Sequence, residues 1–195
     1  MTETSTPAAL LAVPATADAG AALTLRPWLE RDAVALAAAH TDPAMRRWLT
    51  RHIADEAQAR EAIEGLQEAW ESGTRYTLAV VEHAAGAVDP AALDPIGSVT
   101  IRRLDKRFDV AEVGYWVASS ARGRSIAVRA ASAALNWATQ LWRTEPLRRF
   151  ELIHTLGNDA SCRVAQKLGF ALEQELPPSV KWPEPGHLHV RPFAG

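Results

Sequence analysis

The chain has 195 residues, 48% of them apolar and 23% charged, with a formal net charge of −2. That length supports one domain with a full-sized core, and the near-balanced charge argues against a nucleic-acid partner, which would need many phosphates neutralised. The single cysteine, Cys162, excludes an internal disulfide and fits a reducing, cytoplasmic setting, while no stretch approaches the roughly 20 apolar residues that span a bilayer.

Residues 1–22 are rich in Ala, Thr and Pro and carry no period of 2 or 3.6, so they read as a loose tail ahead of a domain at 23–195. Leu23 to Trp28 alternates as a half-buried strand does, with Pro27 at its end. Asp32 is placed to cap a short helix through Ala39, Asp42-Pro43 opens a second, and Asp55 with Gln58 frames a third that Ser72-Gly73 stops. Tyr76–Val81 and Ile96–Ile101 follow as antiparallel strands joined by a long Gly- and Pro-containing segment.

Val110–Val117 is the next strand, and it runs through the Gly123 loop into a helix whose apolar positions Ile126, Ala130, Ala133, Trp137 and Leu141 recur every three or four residues. A second strand-to-helix unit comes after Pro146: strand Arg149–Leu156, then a helix opened by Asn158-Asp159 and closed at Gly169. Phe170–Glu175 and His187–Arg191 complete the chain as two strands around a proline-rich loop. No internal repeat is evident.

A diphosphate held without a metal needs several backbone N–H groups converging on it, together with the positive end of a helix dipole. Arg122-Gly123-Arg124-Ser125-Ile126-Ala127 meets that need: Gly123 admits close main-chain approach, and Arg122 and Arg124 add charge. On spacing alone an ordinary turn with solvated arginines fits equally well. Neither the Gly-Lys-Ser/Thr of a nucleotide loop nor Gly-x-Gly-x-x-Gly is present.

Three motifs in order carry a resemblance: Glu112-Val113-Gly114-Tyr115-Trp116-Val117, the loop Arg122 to Ala127, and Asn158-Asp159-Ala160-Ser161 running to Lys167-Leu168-Gly169-Phe170. Over about residues 23–192 the chain resembles the Gcn5-related N-acetyltransferase (GNAT) superfamily, and within it the branch of ribosomal-protein N-terminal-alanine acetyltransferases. The resemblance implies an α/β (α+β) fold with a mixed, mostly antiparallel sheet of about seven strands flanked by about four to five helices. It implies an acyl-CoA-dependent N-acyltransferase, with acetyl-CoA or another acyl-CoA as co-substrate and a primary amine of a protein N-terminus or small molecule as acceptor. A homodimer is a further expectation, from base rates of assembly.

The same resemblance implies that strands Val110–Val117 and Arg149–Leu156 splay apart to admit pantetheine beside Trp116 and Val117, with the pyrophosphate on the amides of Arg122 to Ala127. Asn158 is expected to bond the pantetheine arm and Ser161 to lie near the thioester sulfur. The acceptor amine must lose a proton, and Glu112 is the candidate base, against a salt-bridged strand glutamate as the plain alternative; the N–H near Val117 is a candidate oxyanion donor.

Two departures stand out. Ser125 occupies the family's second glycine position, where a positive φ would cost about 1–2 kcal/mol. Ala165 stands where many members have a tyrosine that protonates the departing thiolate. Together they leave open a catalytically degenerate GNAT-fold binding module. Cys162 has no histidine beside it in any local motif, and His187-x-His189 has no acidic or cysteine partner at ligand spacing, so no metal is expected. Trp48, Trp70 and Trp137 read as core aromatics; Trp48, Arg51 and His52 also fall in the segment that walls the family's acceptor site.

Overall fold

The computed structural model describes residues 10–15, 20–84, 89–104, 107–179 and 183–194. Its centre is one sheet of eight strands, one more than expected, in the order β1-β2-β3-β4-β5-β6-β8-β7. The strands are β1 Leu11–Val13, β2 Ala22–Pro27, β3 Arg75–His83, β4 Gly97–Leu104, β5 Arg107–Val117, β6 Arg149–Thr155, β7 Ala171–Leu176 and β8 Gly186–Pro192. The extra strand is β1, which lies within the segment expected to be loose and pairs antiparallel with β2 from Leu11↔Leu25 to Val13↔Leu23. Three residues are too few to show a period, so its strand character comes from the β2 edge that it covers. Residues 1–9 and 16–19 lie outside the described residues.

Every ladder is antiparallel except β5–β6. The helices are α1 Ala33–Ala39, α2 Pro43–Trp48, α3 Glu56–Glu71, α4 Ile126–Leu141 and α5 Asp159–Lys167. Alternation along β3 sorts them onto two faces. Tyr76, Leu78 and Val80 join the larger core with Ala130, Ala134 and Leu135 of α4 and Ala165 of α5. Ala79 joins a smaller core with Trp28, Leu36 of α1 and Ala59 and Ile63 of α3. The buried stripe of α4 centres on Ile126, Ala130, Ala131, Ala134, Leu135 and Ala138; Ala133, expected inward, is half-buried. Trp70 and Trp137 do pack as expected, stacked at 5.9 Å between centroids.

Capping explains where the helices start. Asp42 accepts from the Ala44 amide at 2.9 Å and Asp55 from the Gln58 amide at 2.9 Å, as their sequence contexts predict. Asp32 is different: it precedes α1 but makes no side-chain cap bond. Its carboxylate is instead buried and held by Arg26 through two bonds of 2.6 and 2.9 Å. The remaining Arg26 donors reach the carbonyls of Pro27, Pro90 and Leu93. A buried ion pair of this kind needs all its polar atoms satisfied, and this one ties β2 to the segment that leads into β4.

The parallel β5–β6 ladder is the feature that makes a site. It runs for three pairs, Val110↔Arg149, Ala111↔Phe150 and Glu112↔Glu151, and stops. Glu151, 1% exposed, is clamped at the closed end by Arg107 at 2.7 and 3.0 Å and by Arg149 at 2.6 Å. Beyond Glu112, Val113–Val117 stays paired with β4 while Leu152–Thr155 pairs with β8. The two strands diverge into a cleft.

Candidate active site

Two chambers meet on β5. The larger, of about 550 Å³, follows the splay: Gly114 to Val117 form one wall, Leu152 to His154 with Asn158 and Ser161 the other, and Arg122, Gly123 and Ser125 to Val128 the mouth. The smaller, of about 260 Å³, lies under the first helices, among Trp28, His40, Arg51, Arg75, Arg102 and Thr100. Leu49, Thr50, Glu112, Gly114, Tyr115 and Trp116 line both. A volume near 550 Å³ lies in the range of small-molecule sites.

At the mouth, Gly123 has φ +78° and Ser125 has φ +56° and ψ +15°, the one non-glycine residue with positive φ among the described residues. The expected strain at Ser125 is therefore present, on the order of 1–2 kcal/mol. Ser125 also makes no side-chain cap bond to α4, whereas Asp42, Asp55 and Asn158 cap α2, α3 and α5. The first amides of α4 thus face the large chamber without a side-chain acceptor, the arrangement in which a helix N-terminus receives an anion.

The two loop arginines are engaged with acids. Arg122 pairs with Asp42 and donates from Nε to the Val117 carbonyl at 3.1 Å, pinning loop to strand. Arg124 pairs with Glu82 at 2.7 and 2.9 Å and does not line the chamber. Of the six loop residues singled out in the sequence, the other five line it, as do Trp116, Val117, Asn158, Ser161 and Glu112. Asn158 caps α5 by accepting from the Ser161 amide at 3.2 Å, so its cap role and its place on the wall coexist.

Glu112 stands at the junction of the chambers and accepts from Arg102 Nη2 at 2.6 Å. Three residues along β5, Tyr115 presents a buried hydroxyl towards Ser161 without a well-formed hydrogen bond. Burial pushes that phenol up to about 12, which keeps it a proton donor throughout the neutral range. Periodicity did not single out Tyr115; its strand position, two residues before the splayed end, was the available signal. In the small chamber burial, then Arg102 and Arg51, push the Arg75 guanidinium below its usual range, the mark of a cation-rich pocket.

Three readings of single residues change. Trp48, expected in the core, is half-buried on the wall of the large chamber with the Arg47 guanidinium 4.8 Å from its ring. Arg51 does line the small chamber, but His52 lines neither. Cys162, set aside because no histidine is local in sequence, lies 3.3 Å from His154, 3.3 Å from His187 and 3.7 Å from His189. Strand pairing puts His154 opposite His187 and Leu152 opposite His189, a proximity that no short-range spacing reveals.

Comparison with known proteins agrees with this geometry. Residues 22–171 match the family of acetyltransferase (GNAT) domains. No curated protein is similar enough in sequence to count as a relative. Among solved structures, Mycobacterium smegmatis RimJ in complex with CoA-disulfide superposes with a TM-score of 0.72 at 21% identity, covering 94% of this chain and 85% of that one. The ribosomal-protein-S5-alanine acetyltransferase of Vibrio fischeri gives 0.71 at 19% identity, over 88% and 93%. The microcin C7 self-immunity acetyltransferase MccE, in complex with acetyl-CoA and AMP, gives 0.71 at 16% identity, over 87% and 92%. At these identities the superpositions establish the shared fold.

Proposed function

We propose, for a chain that belongs to the GNAT acetyltransferase family, that it transfers an acetyl group from acetyl-CoA to an amine by direct attack within a ternary complex. The observation that carries this reading is the meeting of two separate chambers at Glu112, Gly114, Tyr115 and Trp116. A reaction between two bound molecules needs that plan: one chamber for each, joined where the reacting atoms meet. Solved members of the fold in complex with CoA-disulfide and with acetyl-CoA support the choice of ligand for the large chamber.

The residues divide the work by position. The uncapped amides of Ile126 to Val128, with Gly123, hold the pyrophosphate, and Asn158 with the free edge of β5 near Trp116 and Val117 orients the pantetheine arm. Acyl-CoA supplies an activated thioester carbonyl. The main-chain N–H near Val117 donates to its oxygen as negative charge grows there. Glu112 accepts the amine proton, directly or through one water. The Tyr115 hydroxyl, with Ser161, returns a proton to the departing sulfur, the role left open by Ala165.

The small chamber favours an acceptor amine that carries an anionic group nearby. Arg51, Arg75 and Arg102 line it against the single carboxylate of Glu112, an excess of cations that attracts a carboxylate or phosphate and depresses the pKa of a neighbouring ammonium. Protein N-termini followed by acidic residues fit this description, and solved ribosomal-protein acetyltransferases of the same fold make protein N-termini the first acceptors to try.

The test has two arms: calorimetry with acetyl-CoA, succinyl-CoA and CoA, then acyl transfer to peptides with acidic and neutral second residues and to small amines. Micromolar binding with transfer, fastest to acidic peptides, is the expected result. Tight binding without transfer to any amine would overturn the enzymatic reading, and equal rates on both peptide sets would overturn the acceptor reading alone.

A further inference from the structure

Behind the large chamber, four side chains from three elements converge: His154 of β6, His187 and His189 of β8, and Cys162 of α5. One donor atom from each lies within 4.8 Å of all the others. The closest separations are His154 Nε2 to His189 Nε2, 3.2 Å, and Cys162 Sγ to the three rings, 3.3, 3.3 and 3.7 Å. A tetrahedral zinc with ordinary bond lengths places two nitrogens about 3.3 Å apart and nitrogen and sulfur about 3.6 Å apart. Four of the six edges already lie within about 0.3 Å of those lengths.

The outer ring atoms are arranged as a metal site requires. His154 Nδ1 lies 2.9 Å from the Thr155 carbonyl, which makes it the protonated nitrogen and leaves a lone pair on Nε2 facing the cluster. His187 turns Nδ1 towards Cys162, while its Nε2 lies 3.8 Å from Glu175 across the β7–β8 ladder. His189 turns Nε2 inward, and its buried Nδ1 faces the Phe170 main chain without a well-formed hydrogen bond. Each imidazole thus offers one nitrogen inward, and the outward hydrogen bond of His154 fixes its tautomer, as in ligating histidines. Two Nε2 lone pairs 3.2 Å apart repel unless a proton or a cation sits between them. A hydrogen-bonded network is the competing account: with its proton on Nε2, His189 donates to His154 while the thiol donates to His187, and the two accounts differ in whether the protein takes up a metal.

We propose that His154, Cys162, His187 and His189 form a structural binding site for a tetrahedral divalent transition metal of the zinc class. Three imidazoles and one thiolate suit zinc in ligand type, and four protein ligands leave no open position for a substrate. Binding releases the Cys162 thiol proton to solvent and leaves a net charge of +1 at the site. The metal joins β6, β8 and α5 at a point one residue from Ser161 and four from Asn158, so it fixes the helix that forms one wall of the large chamber. This proposal does not depend on the acyl-transfer reading.

Untagged protein should be purified without chelator, and its metal content measured by elemental analysis before and after chelation. Cobalt titration of the chelated wild type should then give the d–d bands of tetrahedral coordination and a thiolate charge-transfer band, saturating near one equivalent and displaced by zinc. Zinc should slow labelling of Cys162 by a thiol reagent at least about tenfold, and chelator should restore it. His187→Ala, at the half-buried rim, should keep the native circular dichroism and lose metal affinity by on the order of a hundredfold. A folded wild type that shows neither tetrahedral cobalt bands nor zinc-protected Cys162 would overturn the site. Cobalt bands without thiolate charge transfer would remove Cys162 from it and overturn the four-ligand assignment.

Discussion

The Glu112 carboxylate and the Arg102 guanidinium face each other across the β4–β5 ladder at 2.6 Å, on the seam between the two chambers. An ion pair there fixes where the carboxylate points, at the place where the two chambers meet. Glu112→Gln is expected to lower kcat by about a hundredfold with little change in KM for acetyl-CoA. Arg102→Gln, which frees the carboxylate from that position, is expected to lower kcat by about tenfold. Steady-state kinetics on both variants check the pair; an unchanged kcat in Glu112→Gln would assign proton removal to water.

Relief of the left-handed Ser125 tests the phosphate loop. Ser125→Gly removes about 1–2 kcal/mol of strain, partly offset by the entropy that glycine adds to the unfolded chain. If the strain falls on the bound state, acetyl-CoA binds about tenfold tighter in the variant. Calorimetry gives the affinity and urea unfolding the stability, and a change in stability alone would mean that the strain belongs equally to the free and bound loop.

Both tyrosines should resist ionisation. Burial raises the Tyr76 phenol above its ordinary range, and the Tyr115 phenol reaches about 12. Absorbance titration should show little phenolate in the native protein at pH 10, where the unfolded chain is about half ionised. Raised acid pKa values contribute stability that is complete below the unfolded value and is lost as pH rises from about 10 towards 12. Tyr115→Phe removes the Tyr115 transition and, on the proposed proton return to sulfur, lowers kcat more than KM.

The Arg26–Asp32 pair is 3% and 0% exposed. Asp32→Ala leaves a buried guanidinium uncompensated, a loss of about 3–5 kcal/mol, while the double variant Arg26→Met/Asp32→Ala recovers most of it. Urea denaturation of the single and double variants measures both numbers.

Much of this architecture was legible in order and type. The strand–glycine loop–helix unit, the Asp42, Asp55 and Asn158 caps and the alternating β3 follow from local rules that local structure obeys. Asp32 misled because its cap position and its buried partner, Arg26, compete for the same carboxylate, and the partner is read only in three dimensions. The same limit hid Tyr115 and the histidine–cysteine cluster. His154 and His189 are 35 positions apart, and antiparallel pairing of β6 with β8 is what brings them together. Three ordered motifs, by contrast, located the large chamber because its walls are contiguous stretches of chain.

The short β5–β6 ladder has a mechanical meaning. It divides the sheet into two plates, β1 to β5 and β6 with β8 and β7, hinged on three residue pairs and the Glu151 clamp. Leu11 belongs to the first plate and Pro192 to the second, so a force applied between them loads that hinge in series with everything else. The large chamber opens where that ladder stops, so any ligand that spans both plates acts as a clasp on the tertiary structure.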